Sequence, residues 1–169
     1  MSLKRMFLIS TMLCMAVGAF AQTGRGTAEI AMKGGKISID YGRPSLGGQA
    51  SRLGEANNGM VWRLGMNEAT HIQTSRDLLV AGKEVKAGKY TLWAKKVSGA
   101  NWLLCFHPKT GVWGDPVLTD GYVAQLPLRL AKATTSVDQL TISLANAKGR
   151  AMIKVQWGKD LLSGSFDVK

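Results

Sequence analysis

Apolar residues recur at every second position along much of this chain, and turn-forming residues separate the segments that carry the pattern. In residues 139–145, for example, Leu140, Ile142 and Leu144 alternate with polar neighbours. Successive side chains of a β-strand point to opposite faces of a sheet, so this spacing predicts strands with one buried face. No window shows three turns of helical periodicity, and residues 126–132 are the best of the weak helical candidates.

The predicted strands are short and follow one another closely. Two alternating runs flank Gly34 and Gly35, which is the pattern of a β-hairpin with a two-residue turn. In the segment 122–130, Pro127 indicates a strand at a sheet edge, because proline cannot donate a ladder hydrogen bond. About eight to ten strands occur at turn spacings of about 8–12 residues. The sequence therefore predicts an all-β chain: a single antiparallel β-sandwich or jelly-roll-like domain over residues 22–169, with little or no helix.

The first 21 residues have the composition of a secretory signal peptide. Lys4 and Arg5 provide a positive charge, an apolar run follows, and residues 19–21 (Ala-Phe-Ala) form a cleavage site of small residues. The apolar run is shorter than the roughly 20 residues that a transmembrane helix needs. We therefore predict export to the periplasm or the extracellular space, cleavage before Gln22 and no transmembrane anchor in the mature chain.

The predicted mature chain is basic. The signal peptide holds two of the 22 Lys and Arg residues and none of the 11 Asp and Glu residues, so residues 22–169 carry a net charge of +9. A basic exported chain can meet anionic polysaccharide or phospholipid head groups, although the cations here are scattered. We predict no nucleic-acid partner, because the sequence has no basic stripe with interleaved aromatic residues.

Cysteine, histidine and carboxylate patterns support neither a metal site nor a covalent mechanism. Cys14 lies in the predicted signal peptide, and Cys105 lies in an apolar run, which predicts a buried and inert thiol. Glu68 and His71 would point to opposite faces of a strand, which argues against a metal pair. The chain has no G-x-S-x-G motif and no phosphate-binding loop. We therefore predict no metal, no cofactor and no assignable catalytic residue.

Residues 60–70, MVWRLGMNEAT, form the densest polar and aromatic segment of the chain. They follow a glycine-rich stretch of little periodicity, residues 45–59, and long loops in compact domains are often functional. We predict that this region binds a polar ligand or a cell-envelope polysaccharide, with tryptophan as a stacking surface and arginine as a planar donor. The candidate ligand-binding residues are Tyr41, Arg43, Trp62, Arg63, Asn67, Glu68 and Trp113.

Three alternatives remain open at this point. The polar set can be structural, with Gly65 allowing a tight turn that brings Arg63 and Glu68 together in a salt bridge. Glu68 can instead be the general acid or base of a hydrolase that acts on envelope carbohydrate, which requires a second carboxylate about 5–10 Å away. The chain can also be an assembly protein that pairs through an exposed strand edge. The sequence leaves the oligomeric state open.

Several short motifs occur in a fixed order: IDYGRP at 39–44, VWRLG at 61–65, NEAT at 67–70, GKYTL at 88–92 and VQWG at 155–158. In this order they resemble the signature of a family of secreted bacterial proteins, domain of unknown function 2911, over nearly the whole mature chain. The resemblance implies a single exported domain, and it implies no activity because that of the family is not established. Its recurring polar positions are Tyr41, Arg43, Arg63, Asn67 and Glu68.

Two positions depart from the family pattern. Gln49 stands where the family usually has a basic residue, which weakens the case for an anionic ligand. His71 stands where the resemblance leads us to expect a small polar residue, which argues against a catalytic role shared across the family.

Overall fold

The structure, a computed structural model, describes residues 24–169, and the predicted signal peptide lies outside this range. Within residues 24–169 the chain forms ten β-strands and no α-helix, so the all-β prediction is confirmed. A short 3₁₀-helix, Leu53–Glu55, lies in the loop that follows the second strand. The strands are β1 Arg25–Met32, β2 Gly35–Gly42, β3 Val61–Trp62, β4 His71–Thr74, β5 Leu78–Val80, β6 Lys83–Val85, β7 Gly88–Ser98, β8 Asn101–His107, β9 Ala124–Ala147 and β10 Arg150–Val168.

The ten strands belong to one antiparallel sheet. Their order is β1-β2-β4-β7-β8-β9-β10-β5-β6, and β3 pairs with β7. Beyond the end of β2, Ser45 forms an isolated bridge with Gln139 of β9, and β1 also lies beside β9. The sheet therefore curves until strands that are distant in the strand order approach each other. The finer description as a two-layer sandwich stays a prediction.

The main core fills the concave side of this sheet. The alternating runs supply it as predicted, with Leu140 and Ile142 of β9 and Ile153 and Val155 of β10 all buried. Burial of one such aliphatic side chain contributes about 1.5–3 kcal/mol to folding. The alternation therefore selects which face of each strand turns inward.

A smaller cluster of buried residues lies on the opposite face of β7 and β8. It consists of Ala69, Trp93 and Cys105, and side chains of the connection between β8 and β9, among them Val112 and Tyr122, pack over it. Cys105 is buried, as predicted, and burial raises the pKa of its thiol. The connection is thus held against the sheet, and it carries Trp113 towards β4.

The position of the first hairpin turn was predicted wrongly. The first hairpin turns at Lys33 and Gly34, whose φ angles are 54° and 69°, and not at Gly34 and Gly35. Two consecutive left-handed residues match the right-handed twist of the flanking strands, which favours this two-residue turn. The weak helical candidate, residues 126–132, is part of β9.

Pro127 lies in an interior strand and not at a sheet edge. It is paired with Leu103 of β8, whereas the ladder from β9 to β10 ends at Arg129 and Ser163. No hydrogen bond to β10 is therefore lost at Pro127, and proline is tolerated at this position.

Strand β9 is longer than predicted, because the predicted strand segments 122–130 and 139–145 both belong to it from Ala124 onwards. Gly158 is an irregularity inside β10 and does not end that strand. Gly158 has a φ of 60°, and the register with β9 shifts on both sides of it. A bulge of this kind bends a strand without ending it, which periodicity alone does not distinguish from a turn.

Candidate ligand-binding site

The segment between β3 and β4 folds as a compact turn. Leu64 and Asn67 have φ angles of 53° and 60°, and the Thr70 hydroxyl donates to the Leu64 carbonyl oxygen at 2.8 Å. A left-handed conformation is uncommon for a bulky residue, and the Leu64 side chain is fully buried. The turn is therefore held by its surroundings, and the intrinsic preference of Leu64 opposes it.

Two glycines of the sequence motifs, Gly42 and Gly65, approach each other closely. A Cβ at Gly65 would lie 2.9 Å from the Gly42 carbonyl oxygen, and a Cβ at Gly42 would lie 2.7 Å from the Met66 backbone nitrogen. Non-bonded carbon atoms pack at about 3.5–4.0 Å, so a side chain at either position would clash. Glycine allows this contact, which fixes residues 65–70 beside the end of β2.

The connection between β8 and β9 forms a short ribbon with this turn. The Ala69 backbone N–H donates to the Val112 carbonyl oxygen at 3.1 Å, and that of Gly114 donates to the Asn67 carbonyl oxygen at 2.9 Å. Between these bonds, Glu68 and Trp113 form an isolated antiparallel bridge. Directly paired residues project their side chains to the same face, so the ribbon brings Glu68 and Trp113 together.

Glu68 and Trp113 border a cavity of about 200 Å³, together with Asp40, His71 and Lys89. Asp40 and His71 are paired in the ladder between β2 and β4, so they also share a face of the sheet. Trp113 is 62 % exposed and stands as a wall of this cavity. We call the space bordered by these five residues the Glu68 cavity.

Arg25 organises the charges around the Glu68 cavity. Its guanidinium donates to Asp40 Oδ1 through Nε at 2.8 Å and also through Nη2, while Nη1 donates to the Glu68 carbonyl oxygen at 3.3 Å. The Arg25 guanidinium thereby compensates the negative charge of Asp40, and it holds the Glu68 backbone in place. Within residues 24–169, neither the Glu68 carboxylate nor the Lys89 ammonium has an ion-pair partner within 4.0 Å. One anion and one cation are therefore available at the cavity.

His71 adds a neutral polar group to the cavity. Burial lowers the pKa of its imidazole below 6.5, and the nearby cations Lys89 and Arg25 lower it further, against the opposite effect of Asp40 and Glu68. The side chain is 8 % exposed, and its Nε2 has no hydrogen-bond partner among residues 24–169. A buried polar atom without a partner is costly, at about 1–3 kcal/mol.

The structure also corrects the expectation that Glu68 and His71 point to opposite faces. Glu68 lies before β4, next to the left-handed Asn67, so the alternation of a regular strand does not extend to it. Both side chains border the Glu68 cavity. The part of the chain that the structure describes nevertheless holds no group of three His, Cys, Asp or Glu side chains that could bind a metal ion.

Tyr41 and Arg43, two of the predicted ligand-binding residues, contact β9. The Tyr41 hydroxyl donates to the Ile142 carbonyl oxygen at 3.3 Å, and Arg43 Nε donates to the Leu140 carbonyl oxygen at 3.1 Å. Tyr41 is buried and Arg43 half-buried. In this arrangement both side chains join the end of β2 to β9, where the curved sheet brings these strands together.

The other predicted residues separate into two places. Trp62 stacks on Trp157 with ring centroids 5.9 Å apart, and it borders a different cavity together with Arg63. Asn67 is exposed at the corner of the turn. No ion pair joins Arg63 to Glu68 in the described residues 24–169, so the salt bridge considered from the sequence is not formed.

The sequence prediction did not include Arg25, Asp40 and Lys89 among the ligand-binding residues, although Asp40 is one of the acids near the candidate loops. Each lies on a strand as an ordinary polar residue, and only the pairing of β1 with β2, of β2 with β4 and of β4 with β7 brings them together. Asp40 and Lys89 did lie inside the motifs IDYGRP and GKYTL, so the motifs were the one signal that could have identified them.

Comparisons with known proteins give a family and no further assignment. No curated protein and no solved structure matches this chain. Among residues 24–169, no helix is long and apolar enough to cross a membrane. The family described as "Protein of unknown function (DUF2911)" matches residues 24–165, nearly all of the structure described above. The chain therefore belongs to this family.

Proposed function

We propose that this protein is exported and binds a small polar ligand, or one end of a cell-envelope component, in the Glu68 cavity. The observation that carries the proposal is the pair of unpartnered charges, Glu68 and Lys89, which face one cavity beside the exposed Trp113. Charged groups that a fold does not pair are available for a ligand, and a tryptophan face supplies apolar contact.

The size and the charges of the cavity restrict the ligand. Ligand pockets for drug-sized molecules are about 300–1,000 Å³, so about 200 Å³ fits a molecule the size of one sugar ring or one amino acid. His71 Nε2 can form a hydrogen bond with a hydroxyl or amino group of the ligand. The combination favours a hydroxylated or zwitterionic compound over a simple anion.

The test is a titration of residues 22–169 with monosaccharides, amino acids and small dicarboxylates, followed by tryptophan fluorescence and calorimetry. We expect at least one class to bind, and we expect Glu68→Gln and Lys89→Gln each to weaken binding about tenfold or more, since a hydrogen bond to a charged group is lost. Trp113→Phe should remove most of the fluorescence change.

Matched controls are Glu29→Gln on β1 and Lys148→Gln in the turn between β9 and β10. Both residues are exposed and neither borders the Glu68 cavity. They should bind the same compound as the parent chain does. The proposal fails if the cavity variants also bind as the parent does, or if no compound of the three classes binds.

A hydrolase is the second candidate, because Asp40 and Glu68 border the same cavity. Two carboxylates that flank one bond are the requirement for glycoside hydrolysis. If the protein hydrolyses cell-wall polysaccharide, Glu68→Gln should lower the rate by about 10²–10⁴-fold while binding is kept. Asp40→Asn should lower it as well. Absence of released reducing sugar with the parent chain would remove this candidate.

Export is proposed on the sequence of residues 1–21 alone. In a bacterial host, the exported form should have the mass of residues 22–169. Ala21→Arg should block cleavage, because signal peptidases require small residues at this site. A full-length mass in the cytoplasmic fraction would contradict export, and Lys148→Gln serves as a control that leaves the predicted signal peptide unchanged.

A further inference from the structure

A second pair of cavities lies around Trp62, away from the Glu68 cavity. One has a volume of about 460 Å³ and the other about 380 Å³, and both are bordered by Met60 and Trp62. Because they share these two residues, the two cavities are adjacent, and we call them together the Trp62 groove. Both volumes fall in the range of about 300–1,000 Å³ that is typical of ligand sites.

The tryptophans of this chain divide clearly by location. Trp93 and Trp102 are fully buried, at 0 % and 1 % exposure, and serve the two clusters of the core. Trp113 borders the Glu68 cavity, and the remaining two, Trp62 and Trp157, border the Trp62 groove. Every tryptophan that reaches the surface therefore borders a cavity.

Trp62 and Trp157 form a stacked aromatic pair beside these cavities. Their rings are nearly parallel, with an interplanar angle of 8° and a centroid distance of 5.9 Å, and both side chains are half-buried. Stacking and partial burial fix the orientation of the rings before any ligand arrives, which lowers the entropic cost of binding. Met60, 37 % exposed, extends the apolar surface beside them.

Polar groups border both cavities beside this pair. Arg52, Glu55 and Asn57 border one cavity, and Arg63 and Asp115 border the other. Each cavity is thus bordered by one guanidinium and one carboxylate, so neither is strongly cationic or anionic. An aromatic side chain with donors and acceptors of both kinds around it matches a sugar ring, which has one face of C–H groups and an edge of hydroxyls.

We propose that the Trp62 groove binds a linear, uncharged oligosaccharide, with one sugar ring against the Trp62–Trp157 pair and its neighbours towards Asn57 and Arg63. The two adjacent cavities favour several rings in a row over a single monosaccharide. This site is separate from the Glu68 cavity, and the proposal does not depend on a ligand there.

The experiment compares cellohexaose, chitohexaose and maltohexaose with their monosaccharides by calorimetry on residues 22–169. At least one hexaose should bind about tenfold or more tightly than its monosaccharide, because more than one ring contacts the groove. Trp62→Ala should abolish hexaose binding. Since Trp62 also packs on the core, Trp62→Phe and the exposed-rim variant Asn57→Ala test the same point without loss of the fold, and each should weaken binding measurably.

The controls separate the two sites. Asn58→Ala changes an exposed amide next to Asn57 that borders neither part of the groove, and Trp113→Ala changes the Glu68 cavity. Both should bind the hexaose as the parent chain does. The inference is overturned if no hexaose binds, if Trp62→Phe and Asn57→Ala have no effect, or if a polyanion such as polygalacturonate binds more tightly than every neutral hexaose. Loss of hexaose binding in Glu68→Gln alone would place the sugar in the Glu68 cavity and support only the first proposal.

Discussion

At the scale of single residues, the family motifs mark positions where the backbone is tightly constrained. Gly42 and Gly65 pack backbone against backbone, and Leu64 and Asn67 adopt left-handed angles in the same turn. Tyr41 and Arg43 donate to carbonyl groups of β9. Much of the motif thus builds the turn that presents Glu68, and only part of it borders a cavity.

The first prediction concerns Gly42. Gly42→Ala should lower the free energy of unfolding by about 2–3 kcal/mol, because the new methyl group overlaps the Met66 backbone and neither segment can move freely. Chemical denaturation measures this change. Gly54→Ala is the matched control: its Cβ would meet only Leu130 at 3.8 Å, so its effect should stay within about 0.5 kcal/mol. Equal stability of the two variants would show that the contact is not tight.

The second prediction concerns the pH dependence of stability. His71 has a pKa below 6.5 in the folded protein, so the unfolded chain takes up a proton first as the pH falls. Its contribution is therefore fully present above about pH 6.5 and is lost as the pH falls through the folded pKa. His71→Gln should reduce the loss of stability between about pH 7.5 and about pH 5. An unchanged profile in His71→Gln would contradict the assignment.

At the scale of elements, the long loop after β2 is attached to β9 and β10. The carboxylate of Asp160 is fully buried and accepts from Ser51 Oγ at 2.8 Å, from the Leu53 backbone N–H at 3.0 Å and from Lys132 Nζ at 2.5 Å. Asp138 accepts from the Ser45 hydroxyl, and this hydrogen bond lowers the pKa of its carboxyl group. Lack of periodicity in the loop therefore does not mean lack of order.

The third prediction tests this attachment. Asp160→Ala should lower the free energy of unfolding by about 3 kcal/mol or more, because the Ser51 and Leu53 donors and the Lys132 ammonium lose their common acceptor. Limited proteolysis should then cut residues 45–59 faster than in the parent chain. Asp138→Ala removes an exposed carboxylate of β9 that accepts from Ser45 of the same loop, and it should cost less. Equal proteolysis of the parent and Asp160→Ala would show that other contacts hold the loop.

At the scale of the whole molecule, the described residues form one curved sheet with buried clusters on both faces. The edge strand β6 has only three residues, and Lys83 and Glu84 are exposed on it. Short charged edges oppose strand addition by another chain. This feature disfavours the assembly hypothesis for that edge.

The fourth prediction uses the cluster of Ala69, Trp93 and Cys105 as a probe of global unfolding. Cys105 is fully buried, so in the protein of residues 22–169 a thiol reagent should label it only when the sheet opens. We expect the labelling rate of the native protein to be more than about 10³-fold lower than the rate in denaturant. The control is the double variant Cys105→Ser, Ser98→Cys. Residue 98 is exposed, so the new thiol should react as fast as Cys105 does in denaturant. Rapid labelling of native Cys105 would show that the cover formed by the connection between β8 and β9 opens locally.

Much of the fold could be predicted because a strand with one buried face leaves a local signature. The hairpin β1–β2 and the inward faces of β9 and β10 were evident as alternation and turn residues. The continuity of β9 and β10 was not evident, because a bulge at Gly158 and a turn use the same residue types. Pro127 was wrongly predicted to lie at a sheet edge for a related reason. The position at which the ladder between β9 and β10 ends depends on both strands, and the sequence around Pro127 alone does not show it.

The sequence by itself determined that the chain is all-β, that Cys105 is buried, and that residues 60–70 are a specialised segment. These properties follow from composition and from periods of two residues, which are local. Only the tertiary structure showed which residues share the candidate site. Glu68 lies beside Trp113 and His71, and Asp40 and Lys89 border the same cavity, next to Arg25. Trp62 and Arg63 border a different groove. Cavities form where strands distant in sequence pair in a particular register, and that register depends on the packing of the whole sheet.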